Sequence, residues 1–237
     1  MLFTFEDRPS DSPFVERIWR AHSERSGDFT SIAASLWEMV VTRHEGNITL
    51  TVRGPETRPT TVHCPAEGEW LGIRFKLGTY IPQFPASMLL DQGLNLPNTR
   101  ETAFSLDGST WDFPDFENAD LFVRRLVRDG VIARDSIVEA ALRGRLKDFS
   151  PRTARRHFAR TTGLTPSAAR QIARARYATI LLQEGVSIAD VVYEAGYYDQ
   201  PHLTRSLKRY IDRTPAQLAA GSESLPLSYL YKTTPSR

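Results

Sequence analysis

Two stretches near the C-terminus share one pattern: residues 150–166 read SPRTARRHFARTTGLTP, and residues 196–215 read GYYDQPHLTRSLKRYIDRTP. Each contains a residue able to cap a helix, Ser150 or Asp199, and then a short segment with basic side chains on one side. Each ends in Thr-Pro, a pair that favours the start of a further helix. A turn followed by a basic amphipathic helix, present twice, is the layout of two helix-turn-helix units.

The spacing of apolar residues predicts one buried and one exposed face for each of these helices. The predicted buried stripes are Ala154, Phe158 and Thr161 in the first segment, and Leu203, Leu207 and Tyr210 in the second. The remaining faces carry mainly arginine, lysine, glutamine and histidine. Arginine can bind guanine through two hydrogen bonds or contact phosphate, glutamine can bind adenine in the same way, and lysine mostly contacts phosphate.

The charge of the chain is distributed unevenly. Residues 1–130 carry 13 Lys and Arg against 19 Asp and Glu, a net charge of −6, whereas residues 131–237 carry 17 against 9, a net charge of +8. A basic half favours a polyanionic partner, although an ordinary solvated surface is compatible with the same numbers. Two tandem basic helices within that half make DNA the favoured partner.

The composition is typical of a globular protein large enough for two domains, with 237 residues of which 41% are hydrophobic and 24% charged. No apolar run approaches the roughly 20 residues that a membrane span needs. The first residues lack the basic start and apolar block of a signal peptide. The single cysteine, Cys64, excludes an internal disulfide. These features predict a cytoplasmic protein that does not span a membrane.

The first half of the chain has the pattern of a β-rich domain. Runs of β-forming residues flank His44-Glu-Gly-Asn47, where the Gly and the Asn favour the positive φ angles of a tight hairpin. Residues 14–53 are predicted to form strands, including 37–42 and 48–53, and further predicted strands are 60–63, 70–76, 102–106 and 109–113. We expect a small sandwich or barrel over residues 1–113.

Near residue 115 the pattern becomes helical. Apolar residues at helical spacing begin at Phe116, and Gly130 can end that helix. Ser136 and Glu139 fit a capping box for a helix reaching about Leu146. From Glu117 onward we expect about seven helices and no strands. The predicted fold is therefore α+β, with a β-rich domain of residues 1–113, an all-α domain of residues 115–220 and a tail of residues 221–237.

Residues 150–218 resemble the DNA-binding domain of AraC/XylS-type transcriptional regulators, in which two helix-turn-helix units pack around a central linker helix. The matching residues are Phe158, Gly163, Thr165, Pro166, Arg174, Ala178, Leu181, Leu182, Ser187, Ile188, Gly196, Tyr197, Asp199, Gln200, Arg205, Leu207, Lys208, Thr214 and Pro215. The spacing from Arg174 through Pro215 fits without a gap. The resemblance implies that the second helix of each unit enters the major groove of double-stranded DNA.

The resemblance gives the base-facing candidates Arg152, Arg155, Arg156, Gln200, Pro201, His202 and Arg205. The full set of side chains predicted to contact DNA is Arg152, Thr153, Arg155, Arg156, Arg160, Gln200, Pro201, His202, Thr204, Arg205, Lys208 and Arg209. Three residues depart from the family pattern. Asp148 and Asp212 stand where glycine is common, and Pro201 stands where Ser or Gln is usual and removes one potential contact.

The resemblance also implies a role for the β-rich region. The second domain of such regulators usually senses a small molecule or mediates dimerisation, often with a cupin-like barrel. Aromatic residues that could line a pocket, but that more often form plain core, are Trp19, Trp37, Trp70, Trp111, Phe75 and Tyr80. The effector is unknown, and RNA polymerase and a second copy of the chain are candidate partners.

Two alternatives belong to other functional classes. A cupin-like enzyme domain would need clustered metal ligands, whereas His22, His44 and His63 are isolated in the sequence. Adjacent residues of a strand point to opposite faces, so His63 and Cys64 do not form a base and a nucleophile. We therefore predict no catalytic residue, no metal site and no cofactor. The other alternative is a module that binds RNA or an acidic protein, but no aromatic stacking stripe is evident.

Overall fold

The computed structural model describes residues 2–142, 149–221 and 225–228. The chain divides into two compact units. The first comprises Met1–Gly27, Leu36–Pro55 and Cys64–Gly163, and the second comprises Asp28–Ser35, Glu56–His63 and Leu164–Arg237. Both units therefore contain segments from both halves of the sequence.

Thirteen strands and seven α-helices lie within the described residues. The strands are β1 (Phe3–Arg8), β2 (Val15–Ser23), β3 (Gly27–Ser31), β4 (Glu38–His44), β5 (Asn47–Arg53), β6 (Thr60–Cys64), β7 (Glu69–Phe75), β8 (Thr79–Tyr80), β9 (Gly93–Asn95), β10 (Asn98–Arg100), β11 (Ala103–Leu106), β12 (Ser109–Asp112) and β13 (Ala133–Arg134). The helices are α1 (Ala119–Arg128), α2 (Ser136–Leu142), α3 (Pro151–Thr162), α4 (Pro166–Gln183), α5 (Ile188–Glu194), α6 (Gln200–Tyr210) and α7 (Pro215–Ala219), and a 3-10 helix spans Ala86–Met88. The predicted α+β fold, β-rich and then helical, is confirmed.

The first unit is built on an antiparallel six-stranded sheet with the strand order β1-β2-β7-β4-β5-β9. A three-stranded sheet, β10-β11-β12, contributes to the same hydrophobic core, where Leu50 and Ile73 are buried together with Phe104. The six-stranded order is linear, with β1 and β9 at its edges. An open sheet of this kind fits a sandwich, one of the two architectures that the sequence predicts, rather than a closed barrel.

Helix α1 belongs to this core. Its apolar side, including Phe122, Val123 and Leu126, is buried with the sheet residues, because these side chains recur at helical spacing while Arg124 and Arg125 remain exposed. The predicted domain boundary near residue 115 concerns independent folding of the two parts. It stays a prediction.

Helix α3 also lies in the first unit. The indole N–H of Trp37 donates a hydrogen bond to the carbonyl oxygen of Thr161 over 2.8 Å. Gly163 ends the helix with φ +68°, and a Cβ at this position would lie 3.1 Å from the carbonyl oxygen of Ala86. A glycine is therefore favoured here both by the backbone conformation and by the close approach.

The second unit contains helices α4 to α7 together with β3 and β6, which form a two-stranded sheet. The apolar side of α4 is buried, including Ile172, Ala178 and Leu182. At the tail, Leu227 forms a parallel bridge with Thr30. Leu225 is 41% exposed, and Tyr229, Leu230 and Tyr231 lie outside the described residues.

Several local predictions need correction. The hairpin between β4 and β5 has positive φ at Glu45 and Gly46, not at Asn47, which begins β5. The expectation of no strands after Glu117 was wrong at β13, which pairs with β8. A two-residue pairing between distant segments leaves no periodic signal in the sequence. Strand β1 was not predicted.

Candidate DNA interface

The second helix-turn-helix unit consists of α5, a turn and α6. Gly196 adopts φ +67° after α5, and the Tyr197 N–H donates to the carbonyl oxygen of Val192 over 2.8 Å. A left-handed residue followed by this long-span bond is the Schellman ending of a helix. It satisfies carbonyl groups that α5 leaves without partners and redirects the chain toward α6.

Arg174 of α4 stabilises this turn. Its guanidinium lies 4.5 Å from the centre of the Tyr197 ring, and its Nη1 donates to the carbonyl oxygen of Gly196 over 3.2 Å. The Tyr197 hydroxyl lies 3.0 Å from Ser206 Oγ of α6, and burial raises the pKa of that hydroxyl. One arginine and one tyrosine thus join α4, the turn and α6. The sequence included Arg174 only as a family match, and the structure gives it a physical role.

Asp199 caps the start of α6, because its carboxylate accepts the His202 N–H over 2.7 Å. Pro201 lies in the first turn, where a missing N–H costs the helix no hydrogen bond. The His202 ring is partly covered: Nδ1 accepts the Tyr198 N–H over 3.4 Å, and the ring meets Tyr197 edge-on at 5.1 Å. His202 therefore supports the turn in addition to being a predicted DNA contact.

The faces of α6 agree with the prediction. Leu203, Leu207 and Tyr210 are buried. The exposed side chains are Gln200, Pro201, Arg205, Lys208 and Arg209. Thr204 is partly buried, and its hydroxyl donates to the carbonyl oxygen of Gln200 over 2.9 Å.

The end of α6 explains one departure from the family pattern. Asp212 has φ +63°, and its N–H donates to the carbonyl oxygen of Leu207 over 3.0 Å. This is the left-handed position at which glycine is common. Aspartate is one of the few residues with a side chain that enter this region routinely, so the substitution preserves the helix ending.

Helix α3 carries the candidate DNA-contacting residues of the first helix-turn-helix unit. Ser150 caps it by accepting the Thr153 N–H over 3.1 Å, and Ala154, Phe158 and Thr161 are buried as predicted. The exposed candidates are Arg152, Arg155, Arg156 and Arg160, while Thr153 is partly buried. The turn before α3, with Asp148, lies outside the described residues.

A carboxylate that the sequence analysis missed binds two side chains of α3. Asp135 is buried, and its Oδ2 lies 2.7 Å from His157 Nδ1 and 2.9 Å from Arg160 Nη2. Its Oδ1 accepts the backbone N–H groups of Ile137 and Val138, so Asp135 caps α2 in place of the predicted Ser136.

The hydrogen bonds of Asp135 set its ionisation. Burial opposes the charged form, but the bonds from His157, the Val138 N–H and Arg160 outweigh burial and lower the pKa of Asp135 below its ordinary value. Arg160 therefore serves a structural ion pair, although much of its side chain remains exposed. An Asp directly before a helical pattern was the available sequence signal.

Two strongly exposed tyrosines in the second helix-turn-helix unit were not among the predicted DNA contacts. Tyr193 at the end of α5 is 88% exposed, and Tyr198 in the turn is 91% exposed. Tyr198 lies directly before the cap of α6, and tyrosine hydroxyls are among the groups that contact DNA phosphates.

Three of the six aromatic candidates of the β-rich region form core, since Trp37, Phe75 and Trp111 are buried. Trp19, Trp70 and Tyr80 are partly buried, and the Trp19 indole N–H donates to Glu38 Oε1. No group of three or more His, Cys, Asp or Glu side chains in the described part of the chain could hold a metal ion. Across the same residues, no helix has the length and apolar character needed to cross a bilayer.

Comparison with known proteins places the C-terminal segment in a family. A family model described as a helix-turn-helix domain, of the AraC type, matches residues 147–221, about a third of the chain. No curated protein and no solved structure gives a significant match. Residues 147–221 are therefore similar to AraC-type helix-turn-helix domains, which supports a DNA-binding transcription regulator and is consistent with the AraC/XylS family.

Proposed function

We propose that the protein is a sequence-specific regulator of transcription that binds double-stranded DNA through α6 and α3. The observation that carries this proposal is the outward face of α6, where Arg205 and Lys208 are exposed above a buried apolar stripe. Neither side chain forms an ion pair with any residue that the structure describes. Both cations are therefore available to a polyanion.

The candidates fall into different roles according to their surroundings. Arg155 and Arg205 lie on exposed faces and have the reach and the donor geometry to bind guanine O6 and N7. Gln200, in the first turn of α6, fits adenine, and Lys208, near the end of that helix, fits a phosphate. Arg160 is the weakest candidate for a base contact, because Asp135 already binds its guanidinium.

The remaining candidates supplement these contacts. Arg152 and Arg156 are exposed on α3, and Arg209 is exposed on α6 with its guanidinium 5.1 Å from the Tyr210 ring. Thr153 and His202 are partly buried and already take part in hydrogen bonds at the starts of their helices. We assign Arg152, Arg156 and Arg209 to phosphates or to neighbouring bases, and the two partly buried residues to secondary contacts.

We further propose that the β-rich region controls this activity, through a small-molecule effector or through contacts with another protein. An open β sandwich with a continuous apolar core is consistent with the cupin-like sensor domains implied by the family resemblance. RNA polymerase and a second copy of the chain are the candidate protein partners. The alternative, a cupin-like enzyme domain joined to a DNA-binding domain, stays a prediction.

A gel-shift experiment tests the DNA proposal. Full-length protein should bind duplex DNA more tightly than single-stranded RNA of equal length, because the exposed cations lie on helices suited to a major groove. The double variant Arg205→Ala/Lys208→Ala should weaken duplex binding strongly. Its matched control is Arg124→Ala/Arg125→Ala, which removes two exposed charges from α1.

Two results would contradict the proposal. Equal affinity for RNA and duplex DNA would favour a general polyanion binder. Equal losses from the α6 and α1 double variants would mean that total charge, rather than the face of α6, determines binding.

A further inference from the structure

The segment Asp28–Ser35, here called the clasp, belongs to the second unit although it lies near the N-terminus. Five of its eight residues are buried, among them Ile32 and Ala33, which are 1% and 0% exposed, and Thr30. Buried backbone groups need hydrogen-bond partners. The partners of the clasp are β6 and Glu56, together with α4, α6, Arg213 and the tail.

The backbone of Ala33 binds both α4 and α6. Its N–H donates to the carbonyl oxygen of Tyr210 over 2.9 Å, and its carbonyl oxygen accepts Nη1 of Arg176 over 3.1 Å. Tyr210 is the last residue of α6, and the last four carbonyl groups of a helix have no partner within the helix. The clasp therefore supplies one of the donors that the end of α6 requires.

Arg213, three residues beyond the end of α6, forms a second connection. It is 8% exposed, and its Nη2 donates to Thr30 Oγ1 over 3.2 Å and to the carbonyl oxygen of Leu225 over 3.1 Å. The Thr30 backbone in turn bonds to Pro226 and Ser228, each over 2.7 Å. A buried arginine with these partners fixes the chain leaving α6 against the clasp and the tail.

We propose that the clasp positions α6 for DNA reading, with Arg176 and Arg213 as positioning residues. The inference rests on the proposed function, since it assigns no contact with DNA to the clasp itself. Base reading requires hydrogen-bond geometry within a few tenths of an ångström, and bonds weaken steeply when that geometry is lost. Releasing the end of α6 should therefore affect Arg205 at a base more than Lys208 at a flexible phosphate contact.

The test measures full-length protein on its best duplex and on a random duplex across a salt series. Arg176→Ala should weaken binding to the best site by about 5- to 10-fold, a tenfold loss being about 1.4 kcal/mol. Random-duplex affinity should change by less than about twofold, and the salt slope should stay the same because no phosphate contact is removed. Arg176→Lys, which keeps a donor, should restore part of the specific affinity.

The matched control is Arg170→Ala, which removes one exposed charge from the same helix. Thr30→Val provides an independent route, because it removes the hydroxyl that accepts from Arg213 and preserves the backbone bonds of the clasp. It should lower specific binding in the same direction, by a smaller factor. If Arg176→Ala does not fold, Thr30→Val alone decides the matter.

Failure of the proposed function and failure of the positioning inference give different experimental results. A wild-type protein with no preference for any duplex overturns the proposed function and this inference with it. A wild-type preference that survives unchanged in Arg176→Ala and Thr30→Val overturns the inference alone. Equal losses of Arg176→Ala on both duplexes, with a salt slope lower by about one unit, identify Arg176 as a phosphate contact and also overturn the positioning role.

Discussion

Helices α3 and α6 begin in the same way. Ser150 and Asp199 each accept the backbone N–H of the residue three positions later, and Pro151 and Pro201 lie in the respective first turns. Both helices then bury a stripe of side chains and expose a basic face. Their sequences alone predict equivalent roles.

The two helices differ in what their side chains contact. In α3, His157 and Arg160 bind the buried carboxylate of Asp135. In α6, Arg205 and Lys208 form no ion pair within the described residues. Amphipathic spacing thus predicts which face of a helix is buried. The hydrogen-bond and ion-pair partners of the other side chains decide whether those side chains stabilise the fold or remain available for DNA.

Removing residues 1–115 should have the largest effect, because both helices lose partners from that segment. The fragment 116–237 loses Trp37, which binds the end of α3, and Ala33 of the clasp, which binds the end of α6. We expect a helical circular dichroism spectrum, a lower melting temperature than the full chain, and faster amide exchange at the ends of both helices. Exchange in α3 and α6 that is unchanged from the full chain would contradict these contacts.

Gly196→Val should come next, because it strains the turn before α6. Placing a β-branched residue at φ +67° costs about 1–3 kcal/mol, and since no atom lies within 4 Å of the added Cβ, strain rather than collision causes the loss. We expect lower stability and loss of duplex binding. Gly196→Asn should be milder, since asparagine tolerates this conformation.

Gly185→Val is the matched control for backbone strain. Gly185 has φ +85° and equally open surroundings, but it ends α4 rather than preceding α6. Thermal melting and duplex affinity should show similar destabilisation with better retention of specific binding. Identical losses of specificity in both variants would mean that general instability, not the turn, affects DNA binding.

Asp135→Asn tests the contact that distinguishes α3. We expect a loss of about 1–3 kcal/mol in the free energy of unfolding at pH 7, because His157 and Arg160 lose a charged hydrogen-bond partner. The pKa of Asp135 is lowered in the folded protein, so its ionised form stabilises the fold above the ordinary value of about 3.9. That contribution disappears as pH falls through the lower folded-state pKa.

Denaturant unfolding of wild type and Asp135→Asn between pH 7 and pH 3 measures this effect. The stability difference should shrink below about pH 4. Asp11→Asn, at an exposed site, should leave stability nearly unchanged throughout. A difference that is constant with pH would argue against the ionised carboxylate as the stabilising group.

Alanine substitutions of single DNA-contacting residues should give smaller effects. These effects should distinguish base contacts from phosphate contacts. Arg155→Ala and Arg205→Ala should each cost about 1–3 kcal/mol of binding free energy on the best site, and less on random DNA. Lys208→Ala should weaken both duplexes by similar factors and lower the salt slope by roughly one unit. Equal losses on both duplexes for the Arg variants would move base reading to Arg152, Arg156, Gln200 or His202.

The features that could be predicted from sequence are those determined within about one helical turn. Ser150, Thr165, Ser187, Asp199 and Thr214 each accept a backbone N–H three residues later. Capping depends on adjacent residues, so a single sequence contains the necessary information. The same holds for the buried stripes of α3 and α6, whereas the DNA contacts assigned to their exposed side chains stay a prediction.

The contacts that could not be predicted join residues far apart in the chain. Ala33 binds the end of α6, Asp135 binds Arg160, and α1 belongs to the core of the β-rich unit. A hydrophobic period specifies that a face is buried, but it does not specify the partner that covers it. Whether the β-rich region holds an effector also depends on such long-range packing.

Selection of bound duplexes from a random pool tests the central claim, that the face of α6 reads DNA sequence. Wild-type protein should enrich one motif, and footprinting should show protection at major-groove positions on one side of the duplex. Arg205→Ala, selected in parallel, should enrich the same motif with one position relaxed, while Lys208→Ala should retain the full motif. Failure of the wild type to enrich any motif, or an identical motif from Arg205→Ala, would contradict the claim.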